Sequence, residues 1–307
     1  MTHKLRATII IIKLLLLILF LANATAQSQA QDSTAVDSSW TKEVSFGLNL
    51  NQAAFSDNWQ GGGTDNIAFG LITKGSANYS EGSHTWDNQT LLEFGQQKST
   101  SASDEWRKTV DQIFIDSKYG YVISKSWNAF ASLNFRSQFA PGYEYQVDDE
   151  GNTSQKRISE FMSPGYLTEA FGIEYKPSKE FFARFGTGTL RQTFVLDTSL
   201  YLNTPNQNNY GVERGETWRN ELAFQLDMGY NASLMENINL QSRYTMFANY
   251  ETIDEISTID HRLDAIITMK VNDFINVTLS GTFLYDEDQV ARRQWSQATN
   301  IGFLLTY

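Results

Sequence analysis

The chain has no cysteine. That excludes disulfides, thiolate metal sites and a lipid-bearing cysteine at a processed N-terminus. Proline is scarce, with 4 in 307 residues. Scarce proline is compatible with long unbroken strands, and the 20 glycines are available for turns. Histidine is scarcer still, with 3, which leaves few of the usual general bases. Beyond the first two dozen residues there is no apolar run of about 20, so a bundle of transmembrane helices is excluded. An excess of basic residues is also missing. Lys and Arg number 24 against 35 Asp and Glu, a formal net charge of −11. Nucleic acid is therefore no expected partner, because its phosphates would be repelled.

Apolar and polar residues in alternation fill the remainder. Hydrophobic residues make up 41% and aromatics 13%, yet mean hydropathy is negative. Half-buried strands give this combination, because every second residue faces a polar environment.

The opening stretch reads as an export signal. Lys4 and Arg6 form a positive region, residues 7–21 are apolar apart from Thr8 and Lys13, and Ala24-Thr25-Ala26 is a small-x-small cleavage site. The alternative is a retained anchor, which the short run and Lys13 oppose. Cleavage would remove Lys4, Arg6 and Lys13, taking the net charge down by three to −14. We expect a signal peptide over 1–26, a periplasmic N-terminal segment over 27–42 and a barrel over 43–307.

From Glu43 onward, period-2 stripes recur. Ile67, Phe69 and Leu71 share a parity, as do Ile113, Ile115, Tyr119 and Tyr121. So do Leu222, Phe224, Leu226, Met228 and Tyr230, then Leu263, Ala265, Ile267 and Met269. The last stripe is Ile301, Phe303, Leu305 and Tyr307. Connections alternate between short (80–83, 123–126, 176–180, 232–237, 272–274) and longer (56–63, 99–106, 140–160, 196–215, 251–260, 286–294). Outer-membrane barrels sort their loops this way, with short periplasmic turns and longer outer loops. Aromatics cluster at the short turns: Tyr79, Trp86, Tyr121, Trp127, Tyr175, Phe181, Tyr230, Phe274 and Tyr307. There an interfacial girdle is expected. The spacing predicts an all-β fold, a transmembrane antiparallel up-and-down β-barrel of about twelve strands. It sits in the outer membrane of a Gram-negative bacterium, with the last strand closing the ring against the first. Expected partners are outer-membrane lipid, lipopolysaccharide and the barrel assembly machinery. No residue pattern specifies an oligomeric state.

The opposite parity is charged with both signs. The lumen-lining candidates are Glu93, Asp116, Lys118, Arg136, Arg184, Arg219, Glu221, Asp227, Arg243, Arg262 and Asp264; Gln138 falls on the same parity. Charges inside a narrow ring must pair or line water. The residues leave both a salt-bridged plug and a narrow polar pore open. Glu169 and Arg191 fall on lipid-side parity, so they sit at the outer rim or a bulge shifts the phase.

Chemistry is thinly represented. His3 lies in the signal, His84 beside a short turn and His261 on lipid-side parity. A Ser/His hydrolase would have to use His261 at the outer rim, and no enzymatic activity, catalytic residue or cofactor is expected. Asp286-Glu287-Asp288 and Asp148-Asp149-Glu150 could offer oxygen ligands, but such runs read as solvated loop tips, so no metal is expected. Gly61-Gly62-Gly63 lacks the Lys-Ser/Thr of a phosphate loop.

Several segments together resemble a family of uncharacterised outer-membrane barrels from Bacteroidota, the domain of unknown function numbered 3078. They are the 51–63 stretch NQAAFSDNWQGGG, Trp86-Asp87-Asn88, Asp116-Ser117-Lys118-Tyr119-Gly120-Tyr121, Ser137-Gln138-Phe139-Ala140-Pro141-Gly142-Tyr143 and Phe161-Met162-Ser163-Pro164-Gly165-Tyr166. The resemblance runs from about Val44 to Tyr307 and weakens in the second half. It implies a barrel and an outer-membrane location, and it supplies no activity or catalytic residues. By resemblance, Phe303, Leu305 and Tyr307 form the terminal assembly signal that the insertion machinery reads. The function classes that remain are a narrow porin-like channel for small polar solutes, a structural or surface-binding barrel with a closed lumen acting through loops 140–160 and 196–215, and an outer-membrane enzyme.

Overall fold

The computed structural model describes residues 39–53, 65–99, 103–147, 153–202, 209–272 and 275–306. The signal region, Phe274, Tyr307, Gly61-Gly62-Gly63 and Asp148-Asp149-Glu150 lie outside the described residues.

The strands are β1 (Trp40–Ala53), β2 (Asn66–Glu81), β3 (His84–Ser99), β4 (Ser103–Val122), β5 (Trp127–Ser137), β6 (Gly142–Val147) and β7 (Thr153–Ser159). Then follow β8 (Gly165–Tyr175), β9 (Phe181–Phe194), β10 (Trp218–Met235), β11 (Ile238–Asn249), β12 (Asp260–Lys270), β13 (Ile275–Asp286) and β14 (Val290–Thr306). Twelve of them form a closed ring in the order β1-β14-β13-β12-β11-β10-β9-β8-β5-β4-β3-β2. Every neighbour in the ring is antiparallel. The up-and-down barrel expected from the alternation is the observed fold. The remaining pair, β6 and β7, makes a separate two-stranded hairpin inside the long connection after β5.

The last strand closes the ring on the first. Ser45 pairs with Thr306, Leu48 with Phe303 and Asn49 with Gly302. Glycine is required at this seam: a Cβ on Gly302 would lie 2.1 Å from Asn49 Oδ1 and 2.5 Å from the Leu48 carbonyl oxygen. The carbonyl belongs to a paired strand and has no freedom to retreat.

Some boundaries differ from the expectation. The first strand begins at Trp40, before Glu43. The connection expected over 286–294 shrinks to the residues between β13 and β14, and β4 already starts at Ser103. Polar and charged sequence makes both stretches read as loop, yet β4 keeps a pair at Ser99↔Ser103, and β14 pairs Val290 with Asp286 and Gln294 with Leu284 on either side of an irregularity that holds Arg292 and Arg293.

The exterior carries the apolar stripes. Phe171 is 65% exposed, Leu222 61% and Ile301 66%, whereas the polar Lys118 and Glu174 of the opposite parity are at 1% and 0%. That inversion of the usual burial pattern marks an apolar outer wall. At the short-turn end Trp40 packs on Tyr79 (5.2 Å between centroids) and Trp127 on Tyr175 (4.9 Å). The Trp86 indole donates to Ser117 Oγ at 2.9 Å. At the long-loop end Trp106, Trp218 and Trp295 are exposed. The shortest barrel strands, β5, β8 and β12, have 11 residues each, enough to cross a hydrocarbon core of about 30 Å when tilted.

Candidate functional site: the lumen

Side chains of one parity project into the ring, and contacts between strands far apart around it cross the lumen. Asp116 on β4 lies 3.3 Å from Arg243 on β11 and 3.2 Å from Arg184 on β9. Arg243 holds Asp227 through two bonds, Nε to Oδ1 at 2.8 Å and Nη2 to Oδ2 at 2.7 Å. Arg184 also reaches Asp227, at 3.3 Å. Two carboxylates and two guanidiniums thus form a transverse layer at mid-lumen. Such bidentate, charge-assisted pairs are the strong class of hydrogen bond.

Toward the short turns the layer continues without a break. Arg184 Nε donates to Glu174 at 3.1 Å, and Lys118 Nζ donates to both Glu174 oxygens at 2.7 and 2.8 Å. Asn128 adds a third donor at 2.9 Å, and Asp87 takes Lys118 at 2.9 Å. The Arg184 guanidinium lies over the Phe182 ring at 4.3 Å. Lys118, Glu174, Asp87 and Arg184 each have an opposite charge in contact, the condition under which buried ions are tolerated.

Toward the long loops a second cluster forms. Arg191 pairs with Glu221 through two bonds, 2.9 and 3.1 Å, and with Asp260 at 2.6 Å. Its guanidinium stacks on Phe247 at 3.7 Å. Arg219 pairs with Glu221 at 2.9 Å and with Asp288. Arg262 pairs with Asp264 at 2.7 and 2.8 Å. Glu93 on β3 lies within electrostatic reach of Lys74 and Arg262. Between this cluster and the mid-lumen layer is a cavity of about 120 Å³, walled in part by Phe114, Arg136, Tyr166, Arg243 and Arg262.

The two long connections pack on one another at this end. Val195, Leu200 and Val212 are fully buried. Asp197 N donates to Ser163 Oγ at 2.9 Å, and Arg157 pairs with Glu160 (2.9 Å) and with Asp197. The Tyr210 hydroxyl donates to the Ile158 carbonyl at 2.9 Å. Burial, and then the nearby Asp286 carboxylate, push this phenol up to about 12, so it stays a donor at ordinary pH. Arg219 donates to the Gly211 carbonyl at 3.0 Å. Gly211 has φ +75, and a Cβ there would meet the Arg219 guanidinium at 2.2 Å.

Arg191 enters the lumen because of one extra residue. β9 and β10 slip between Gln225↔Gly186 and Ala223↔Thr189. β8 and β9 slip between Phe171↔Gly188 and Gly172↔Gly186. Thr187 is unpaired on both sides, a bulge that inverts the parity beyond it. Arg184 points inward before the bulge; Thr189, Arg191 and Thr193 point inward after it. Glu169 on β8 keeps its outward parity and is exposed.

Other residues sit differently from their sequence reading. Gln138 lies just past β5 and bonds Lys108 and the Glu160 carbonyl beneath the hairpin, not the lumen. Asp286 is 5% exposed, and Asp288 pairs with Arg219, so neither is a solvated loop tip. His84 contacts Tyr119, and His261 contacts Tyr244 on the outward parity. Among the described residues no group of three His, Cys, Asp or Glu side chains converges as a metal site.

Residues 50–143 match the family described as protein of unknown function DUF3078. The motifs around Trp86, Asp116 and Ser137 fall inside that match, and the Phe161–Tyr166 motif, numbered 161–166, falls outside it. Among curated proteins none matches the chain. Solved structures with similarity include the translocator domain of the autotransporter NalP from Neisseria meningitidis (8% identity, 94% of each chain, TM-score 0.35). An outer membrane channel from Pseudomonas putida F1 (11%, 90% of this chain and 98% of that one, TM-score 0.37) and the NanC porin (8%, 87% and 98%, TM-score 0.33) are similar too. No activity of this chain follows from likeness at that level.

Proposed function

We propose that the protein is a non-enzymatic outer-membrane barrel whose lumen is shut to free diffusion and whose long-loop end faces outward. The apolar outer wall with aromatics at both ends supports membrane residence, and contact with lipid and lipopolysaccharide follows from it. The transverse layer of Asp116, Arg184, Asp227 and Arg243 carries the closed reading. Removing a partner from a buried ion pair costs about 3–5 kcal/mol, so the layer does not open by ordinary fluctuation. The loops 140–160 and 196–215, whose described parts pack on one another, then form the surface that meets other molecules.

Planar-bilayer recording tests this. Purified protein should insert without steady ohmic conductance. Porin-like conductance from the wild-type chain would overturn the closed reading. Recovery of the chain as a soluble periplasmic protein, without heat-modifiable gel mobility, would overturn the membrane reading.

A second reading, a narrow channel for small polar solutes, is favoured by the 120 Å³ cavity. In that reading the transverse layer is a gate, and altering Arg136 or Arg243 changes a conductance that the wild type already shows.

A further inference from the structure

Among the four arginines that wall the lumen cavity, three are saturated. Arg191 has Glu221 and Asp260, Arg243 has Asp227 and Asp116, and Arg262 has Asp264. Arg136 is the exception. Its Nη1 is buried and has no hydrogen-bond partner among the described residues. The nearest carboxylate oxygen, Asp264 Oδ2, is 3.7 Å away. That oxygen already accepts Arg262 Nε at 2.7 Å, and Oδ1 accepts Arg262 Nη2 and Thr282 Oγ1. The other neighbour is a like charge: the Arg136 and Arg243 guanidiniums both lie 5.0 Å from the Phe114 ring.

A buried cation short of partners is costly to keep. Function is the usual reason for retaining one. The cavity beside it supplies a second donor. Tyr166 is the register partner of Arg136 across β5 and β8, so the two share one inner wall. Gln289 donates to the Tyr166 oxygen at 3.2 Å, and Gln289 is itself held by Asp286 at 2.8 Å. The Tyr166 oxygen is thus already an acceptor, and its O–H remains to be given. A guanidinium fork and a phenol side by side complement one carboxylate.

We propose that this cavity is a binding site for a small monocarboxylate, held by Arg136 and Tyr166. Single charge is set by the walls: Arg136 has only a carboxylate that it shares with Arg262, while Asp260 and Asp286 also face the cavity and oppose a dianion. The volume admits a molecule of a few heavy atoms with water. The site goes beyond the closed-lumen reading and does not depend on it. An open lumen would still contain the fork, so conductance and binding fail separately.

The test uses full-length folded barrel in detergent, titrated with acetate, chloride and inorganic phosphate at constant ionic strength. Binding is read by calorimetry and by the unfolding midpoint. Acetate should bind and raise the midpoint; chloride and phosphate should not. Arg136→Gln should weaken acetate binding by about ten-fold or more, and Tyr166→Phe by about five-fold. Heat-modifiable mobility reports whether each variant folds. If Arg136→Gln does not fold, the Tyr166→Phe comparison alone decides. Equal acetate binding in wild type and Tyr166→Phe, no acetate binding in the wild type, or tighter binding of phosphate than of acetate would each overturn the proposal.

Discussion

Near the short turns, Lys118 has the carboxylates of Glu174 and Asp87 at 2.7 and 2.9 Å, and Glu174 receives Lys118, Arg184 and Asn128. Near the long loops, Arg136 has a single carboxylate at 3.7 Å, already committed elsewhere. Both halves use the same residue types on the same parity of neighbouring strands. They differ in whether charges are matched. Matched charges hold the cylinder in shape, and one under-paired charge among them leaves itself to be satisfied by something that enters. Pairing completeness separates structural from functional charge in this lumen better than residue identity does.

The largest effect that would sharpen this contrast is at Glu174. Glu174→Gln strands Lys118 and Arg184 as buried cations with fewer partners, and should lower unfolding free energy by about 3–5 kcal/mol. Equilibrium denaturation in lipid vesicles measures it; a loss below about 1 kcal/mol would mean the short-turn network is not structural. Next is Arg136→Met, which removes an under-paired charge. Its unfolding free energy should stay within about 1 kcal/mol of wild type, and a loss of about 3 kcal/mol would break the comparison by making Arg136 a structural member like Lys118. The smallest concerns Lys176, at the rim, 3.7 Å from Asp87 and 37% exposed. Lys176→Ala should change stability by no more than about 0.5 kcal/mol, because solvent screens such pairs. A larger cost would mean that the matched network extends past the strands.

Much of this was legible in the chain itself. The alternation of Ile113, Ile115, Tyr119 and Tyr121, and its recurrence between alternating connections, is enough for a closed antiparallel barrel, because lipid on one face and a polar lumen on the other impose a period of two. The sign mixture at Asp116, Arg184, Asp227 and Arg243 was legible as well. Their bonding was not, since which arginine meets which carboxylate across a ring depends on stagger between strands far apart in sequence. Glu174 and Asp87 are adjacent to the outward Tyr175 and Trp86, so simple parity would have found them. Asp260 needed the strand to start three residues before its hydrophobic stripe at Leu263, inside the expected connection. Arg191 was legible only as an anomaly: an arginine on lipid-side parity left an outer-rim position and a phase-shifting bulge both open, and the bulge at Thr187, within Gly186-Thr187-Gly188, is what redirects it. The loop-like polarity of Arg292 and Arg293 concealed strand for a related reason. The ladder is irregular at that point and resumes on either side, at Val290 and Gln294, so neither the two-residue rhythm nor the pairing is regular there.

The bulge at Thr187 has a consequence for how such a chain tolerates change. A substitution at Arg191 alters one side chain, but deleting Thr187 alters none and exchanges inside for outside along the rest of β9. Thr189, Arg191 and Thr193 would turn to face the bilayer, and Leu190 would be driven into the lumen among carboxylates that had been waiting for a guanidinium. The barrel's charge inventory would be unchanged on paper and wrong in space. For this strand, length is therefore as much a coded instruction as composition, and an insertion or deletion of a single codon is a heavier edit than most changes of amino acid.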